Sequence, residues 1–180
     1  GSEGRGAEFV RANTNDIGGG DWRDVVAGFN HVLALGYTER ERMGLAGFSY
    51  GGYLTAWGIT QPEGAVFKAA VVGAGITNWL SREGASGALG MWPRLHWGNE
   101  TALWRSPQDF FQRSPIAHIA QVRAAVLLLH GEADNKVPPG QAIEFYNGLR
   151  ARGLPVEGCI YPGEGHGFND RAHKIDSLRR

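Results

Sequence analysis

Met43-Gly44-Leu45-Ala46-Gly47-Phe48-Ser49-Tyr50-Gly51-Gly52-Tyr53-Leu54-Thr55-Ala56-Trp57 is the stretch whose reading decides the fold. Its first six residues form a short, mostly apolar run that reads as a strand. Beyond it Tyr53, Leu54 and Trp57 share one face of a helix that stops before Pro62. At the junction Gly47-Phe48-Ser49-Tyr50-Gly51 matches G-x-S-x-G. Small residues on both sides let a strand turn sharply into a helix and leave the serine hydroxyl exposed, while the helix N-terminus supplies positive potential. In that geometry the Tyr50 backbone N–H points to where an oxyanion would form. The pattern alone is weak in a chain with 28 Gly, and a glycine-rich turn without chemistry is the alternative.

Working outward, the chain repeats the strand–helix rhythm. Trp22, Val25, Val26, Phe29, Val32 and Leu33 recur at a helical period, with Asp21 placed as N-cap and Gly36 as terminator. Ala69 to Val72 reads as a buried strand, and Ala125 to Leu129 is a continuous apolar run of the kind found in parallel strands covered on both faces. A helix through Ala142, Ile143, Phe145, Tyr146 and Leu149 ends by Gly153, Val156 to Tyr161 is a further strand, and Ala172, Ile175 and Leu178 mark a final helix. Strands alternating with helices predict an α/β fold with a parallel sheet, in one domain over residues 1–180. Residues 75–120 break the rhythm and hold Trp79, Trp92, Trp97 and Trp104, four of the six tryptophans. They read either as an insertion with its own small core or as a segment lining a pocket beyond the strand ends.

Composition narrows the classes. Lys plus Arg and Asp plus Glu number 18 each, so no basic footprint suggests nucleic acid or an anionic membrane. No apolar run approaches the roughly 18 residues of a membrane span, and no signal-peptide pattern opens the chain. The single cysteine, Cys159, excludes an internal disulfide framework, fits a reducing, cytoplasmic compartment, and reads as a small core residue within a strand rather than a nucleophile. The histidines show neither H-E-x-x-H nor a close ligand pair, so no metal and no cofactor is expected.

A serine hydroxyl is a weak nucleophile that needs a base, and the base needs an orienting carboxylate. Asp134 follows the Ala125–Leu129 strand in His130-Gly131-Glu132-Ala133-Asp134, and His166 follows the Val156–Tyr161 strand in Pro162-Gly163-Glu164-Gly165-His166-Gly167-Phe168. The chain order Ser49, Asp134, His166 is that of α/β-hydrolases, and each residue lies just beyond a strand, so all three can meet at one edge of a sheet. His130, at a strand end, reads as a structural, hydrogen-bonded histidine. His31 lies on a helix, and His96, His118 and His173 have no comparable setting. Glu132 is a rival orienter closer to its strand, and Glu164 reads as a solvated or loop-stabilising charge.

Together these segments resemble the catalytic domain of the prolyl oligopeptidase family of serine peptidases, the group with dipeptidyl and acylaminoacyl peptidases. GSEGRGAEF (1–9) is similar to the family's Gly-Ser-x-Gly-x-Gly loop, GGGDWRDVVAGFNHVL (18–33) to its next helix, and GFSYGGYLT (47–55) to the nucleophile elbow. SPIAHI (114–119), LLLHGEADNKVP (127–138) and YPGEGHGF (161–168) are similar to the lead into the next strand, the aspartate loop and the histidine loop. The resemblance implies an α/β-hydrolase fold, Ser49 as nucleophile, Asp134 as orienter, His166 as base and the Tyr50 N–H as one oxyanion donor. It implies a short peptide or acylated amino acid as substrate, with small esters as surrogates, and places Trp79, Trp92 and Trp97 near the pocket for the side chain preceding the scissile bond.

The resemblance covers the C-terminal part of such a domain. The family's N-terminal strands, its β-propeller and its second oxyanion donor would precede Gly1. The strand carrying Ser49 is then expected to be a sheet edge, open to self-association or to a complementing chain. Two other readings stand beside the peptidase: a weakly active or non-catalytic fragment or interaction module, and an esterase of the same fold acting on small esters.

Overall fold

The protein, described from a computed structural model over residues 4–87, 90–99 and 102–180, is built on four parallel strands. These are β1 (Gly44–Phe48), β2 (Ala69–Gly73), β3 (Ala125–Gly131) and β4 (Val156–Tyr161), adjacent in chain order. Register runs from Gly44 opposite Ala69, through Ala69 opposite Ala125, to Val126 opposite Val156. The helices are α1 (Ala7–Arg11), α2 (Gly20–Ala34), α3 (Tyr50–Gly58), α4 (Trp79–Ala85), α5 (Met91–Trp97), α6 (Ala102–Arg105), α7 (Pro107–Gln112), α8 (Gly140–Ala151) and α9 (Arg171–Arg179). The expected α/β alternation is therefore present. The start of the glycine-rich opening, Gly1-Ser2-Glu3, lies outside the described residues.

Two local expectations change. Gly19, not Asp21, is the N-cap of α2, and Asp21 sits inside the first turn; its carboxylate is engaged elsewhere, as described below. β3 is continuous in hydrophobicity, yet its second face is covered only toward the C-terminal end, where Leu129 is buried. Ala70, Val72, Val126 and Leu128 are buried against α3 and α8, where Phe145 and Leu149 are fully enclosed. On the other face Ala46, Ala69 and Ala125 are exposed and Val71 and Leu127 half-buried. That face forms a shallow groove reaching to Pro155, Glu157 and Arg180. β1 pairs with β2 alone among the described residues, leaving its second edge unpaired. None of the described helices is long and apolar enough to cross a membrane.

The segment between β2 and β3 folds into the four short helices α4 to α7. Its aromatic residues join a cluster with α3: Trp79 meets Tyr53 at 5.2 Å and Trp97 at 5.6 Å between ring centres, and Trp97 stacks on Phe110 at 4.0 Å.

Close approach of α3 to the sheet is what aims the end of β1. A Cβ on Gly47 would lie 2.2 Å from the Gly51 carbonyl oxygen, and one on Gly52 would lie 2.5 Å from the Gly73 carbonyl oxygen. Glycine at both positions lets helix and strand touch backbone to backbone. Gly52→Ala is expected to force α3 away from β2 and lower stability by roughly 1–3 kcal/mol. Gly51→Ala, one residue earlier on the same helix, meets no heavy atom within 4 Å and is expected to hold or raise stability. Urea unfolding of the two variants checks this, and equal effects would contradict the close-approach account.

Candidate active site

Because the strands are parallel, their C-terminal ends share one rim, and the segments leaving β1, β3 and β4 deliver Ser49, Asp134 and His166 to it. Ser49 occupies the turn into α3 with φ 58° and ψ −119°, a conformation that costs a non-glycine residue about 1–3 kcal/mol. Two backbone bonds hold it there: its N–H donates to the Gly73 carbonyl at 2.8 Å, and its own carbonyl accepts from the Tyr53 N–H at 2.9 Å. The strained turn lifts the hydroxyl off the sheet toward His166, whose Nε2 lies 2.8 Å from Ser49 Oγ. His166 Nδ1 lies 2.8 Å from Asp134 Oδ2.

Asp134 is buried, and each oxygen has its own task. Oδ1 accepts the Lys136 and Val137 backbone N–H groups, both at 2.9 Å, which closes the loop after β3. Oδ2 faces His166, with His130 Nε2 also 3.5 Å away. Burial alone would raise its pKa, but the hydrogen bonds from His130, His166 and Val137 outweigh it and hold the carboxyl well below the ordinary carboxylate value. An ionised Asp134 requires the His166 proton on Nδ1, leaving Nε2 with a free lone pair toward the serine hydroxyl. Tyr50, the first residue of α3, has an N–H with no acceptor inside the helix. It adjoins Ser49 at the positive end of that helix.

The rival residues lie elsewhere. His130 is buried and its Nε2–H donates to the Val137 carbonyl at 2.7 Å, a structural tie within the Asp134 loop. Glu132 is exposed and accepts from the Gly163 N–H at 3.0 Å. Glu164 is buried, accepting the Asn169 and Asp170 N–H groups at 2.7 and 2.8 Å and contacting His173 Nδ1 at 2.9 Å. It stabilises the loop and is not solvated. Cys159 is half-buried in β4.

Of the tryptophans expected around a pocket, Trp79 is wholly enclosed and offers no surface of its own; it backs the cluster. Trp92 and Trp97 are half-buried. Trp92 lies parallel to His96 at 5.1 Å, and both lie parallel to the Tyr50 ring, at 6.4 and 5.5 Å. The Arg82 guanidinium is fully buried over Trp92, ion-paired to Glu83 at 2.6 Å and donating to the Lys136 carbonyl at 2.9 Å. It thereby joins the tryptophan-rich segment to the Asp134 loop. Neither His96 nor Arg82 stood out in the sequence: each is a single residue whose setting depends on α4 and α5 folding over α3.

The sequence profile of the prolyl oligopeptidase family matches residues 1–180. An uncharacterised peptidase of Bacillus subtilis, YuxL, is 32% identical over 100% of this chain and 27% of its own length. The acylamino-acid-releasing enzyme of Rattus norvegicus is 29% identical over 99% of this chain and 25% of its own. The solved acylaminoacyl peptidase of Pyrococcus horikoshii superposes with a TM-score of 0.84 at 30% identity, covering 94% of this chain and 28% of that one. The chain thus spans about a quarter of the length of the curated relatives it matches.

Burial pushes the His96 pKa down to about 4, with Arg82 pushing the same way and Asp21 opposing. Between that value and the ordinary 6.5 the unfolded chain binds the extra proton, so stability should fall as pH drops through this window. His96→Phe keeps the stacked ring and removes the titration. Its urea midpoint is expected to decline less than that of the parent between about pH 7 and pH 5, and equal declines would contradict the assignment.

Proposed function

Because the chain belongs to the prolyl oligopeptidase family of serine peptidases, we propose that it forms the nucleophile-bearing part of such a peptidase, with Ser49 as nucleophile, His166 as general base and Asp134 as orienting carboxylate. The observation that carries this reading is the unbroken relay from Ser49 Oγ to His166 Nε2 and from His166 Nδ1 to Asp134 Oδ2, each step 2.8 Å. Ser49 Oγ attacks the substrate carbonyl carbon while its proton passes to Nε2, and the imidazolium so formed is stabilised by Asp134. The carbonyl oxygen, now negative, faces the Tyr50 N–H. Collapse of the tetrahedral intermediate breaks the bond to the leaving group, which takes the proton from Nε2 and departs as amine or alcohol. Water then attacks the acyl-serine, again giving its proton to Nε2, and the acid leaves as Ser49 recovers its hydrogen.

The substrate class we propose is a short peptide or an acylated amino acid, in keeping with the names of the acylamino-acid-releasing relatives. Small esters would react at the same centre. A fluorophosphonate probe is expected to label the parent and to lose its label in both Ser49→Ala and His166→Ala, while Asp134→Asn should lower kcat by about 10⁴-fold. Label persisting in both alanine variants would overturn the assignment, and turnover of p-nitrophenyl esters without turnover of amino-acyl anilides would mark an esterase.

A second proposal rests on the unpaired edge of β1 and the open sheet face beside it. We propose that further strands of the hydrolase sheet complete this edge in the working protein, since unpaired backbone groups and apolar surface favour pairing. The isolated 180 residues are then expected to be marginally stable and to elute as concentration-dependent oligomers on size exclusion. A compact, thermally robust monomer would overturn this.

A further inference from the structure

The phenol of Tyr50 is held from two directions by a segment remote in sequence. Its hydroxyl donates to Asp21 Oδ2 at 2.5 Å and accepts from Asn13 Nδ2 at 2.9 Å. Its ring lies parallel to His96 and Trp92, with Tyr53 5.3 Å away on the same helix. The proton stays on the phenol, because burial together with the hydrogen bond to Asp21 moves its pKa far above the ordinary tyrosine value. The anchors are themselves fixed. Asn15 N–H donates to the His96 carbonyl at 2.5 Å, Trp57 Nε1 to the Gly18 carbonyl at 2.9 Å, and an Arg113 guanidinium N–H to the Ile17 carbonyl at 2.6 Å. Residues 13–21 are thus tied to α3, α5 and the end of α7.

With its hydroxyl bonded on two sides and its ring stacked, the Tyr50 side chain restrains the backbone that carries it. The Tyr50 N–H follows the strained Ser49 turn, and relaxing that turn would rotate the peptide and carry the ring out of its two hydrogen bonds. Resting on the reading of Ser49 as nucleophile, we propose that Asp21 and Asn13 are positioning residues for the oxyanion donor, acting through the Tyr50 hydroxyl. A carboxylate and an amide outside the Ser–His–Asp relay thereby set the direction of the N–H that meets the developing charge. Removing an oxyanion donor outright costs about 10²–10³ in rate, and mis-aiming one costs part of that.

The test is a double-mutant cycle of Tyr50→Phe and Asp21→Ala in the full chain, with active sites titrated so that rates refer to folded enzyme. Each single variant is expected to lower kcat for a p-nitrophenyl ester about tenfold with KM within about twofold, and to weaken a peptidyl aldehyde, whose hemiacetal oxyanion uses the same donor, by the same factor. If Asp21 acts through the phenol, the double variant is no worse than the poorer single one. Unchanged kcat per titrated site with a lowered melting temperature would reduce the network to packing and overturn the proposal. So would additive losses in the cycle, or a rise in KM alone. Should Asp21→Ala fail to fold, Tyr50→Phe decides by itself, since it deletes one oxygen and keeps the stack. The catalytic reading is judged separately, by whether Ser49→Ala abolishes the probe label.

Discussion

A carboxylate taken out of water either loses its charge or finds donors to replace its hydration. Asp134 keeps the charge because the loop that carries it turns its own Lys136 and Val137 N–H groups back onto Oδ1. That leaves Oδ2 for the imidazole. The division decides which nitrogen of His166 bears the proton, and therefore which one is basic. His130 reinforces the loop from beneath, fastening the Val137 carbonyl while its ring edge adds positive character beside Oδ2. The His166 imidazole keeps this orientation only insofar as the small ring of backbone donors around Asp134 stays closed.

The sheet supplies the convergence. Side chains 85 and 117 residues from Ser49 in sequence reach it because β1, β3 and β4 run the same way and finish at one rim. The elbow is held under strain by contacts on either side, with Gly47 and Gly52 allowing α3 to lie against β1 and β2 without intervening side chains. Precision at Ser49 Oγ thus derives from backbone packing beneath it rather than from side chains surrounding it.

What could be read from the residues in advance follows from how local each signal is. β3, the elbow and the loops after β3 and β4 were legible because a run such as Ala125 to Leu129, or the Gly47–Gly51 pattern at a strand end, states its conformation within a few residues. Asp21 was misplaced because an acid near a helix start ordinarily serves as a cap; here Gly19 takes that place and the carboxylate reaches the Tyr50 hydroxyl, 29 residues on. β3 looked covered on both faces because hydrophobicity records what a surface prefers to touch, and cannot report that the groove along Val71 and Leu127 lies open. His96 and Arg82 were invisible for a related reason: their burial is created by α4 and α5, whose mixed Gly, Pro and Trp composition has no clear period.

The helix at the C-terminus contains no buried residue and would pass for an inert, solvated surface element. Yet its His173 grips the Glu164 carboxylate, which also gathers the Asn169 and Asp170 amides, while the Glu164 carbonyl receives the Ala133 N–H beside Asp134. Glu164 is a rivet through three segments of backbone: the loop of Asp134, the loop of His166 and the start of the last helix. Sequence drift along α9 is therefore less free than its exposure suggests, because slack at His173 is transmitted to the imidazole only two residues beyond the rivet.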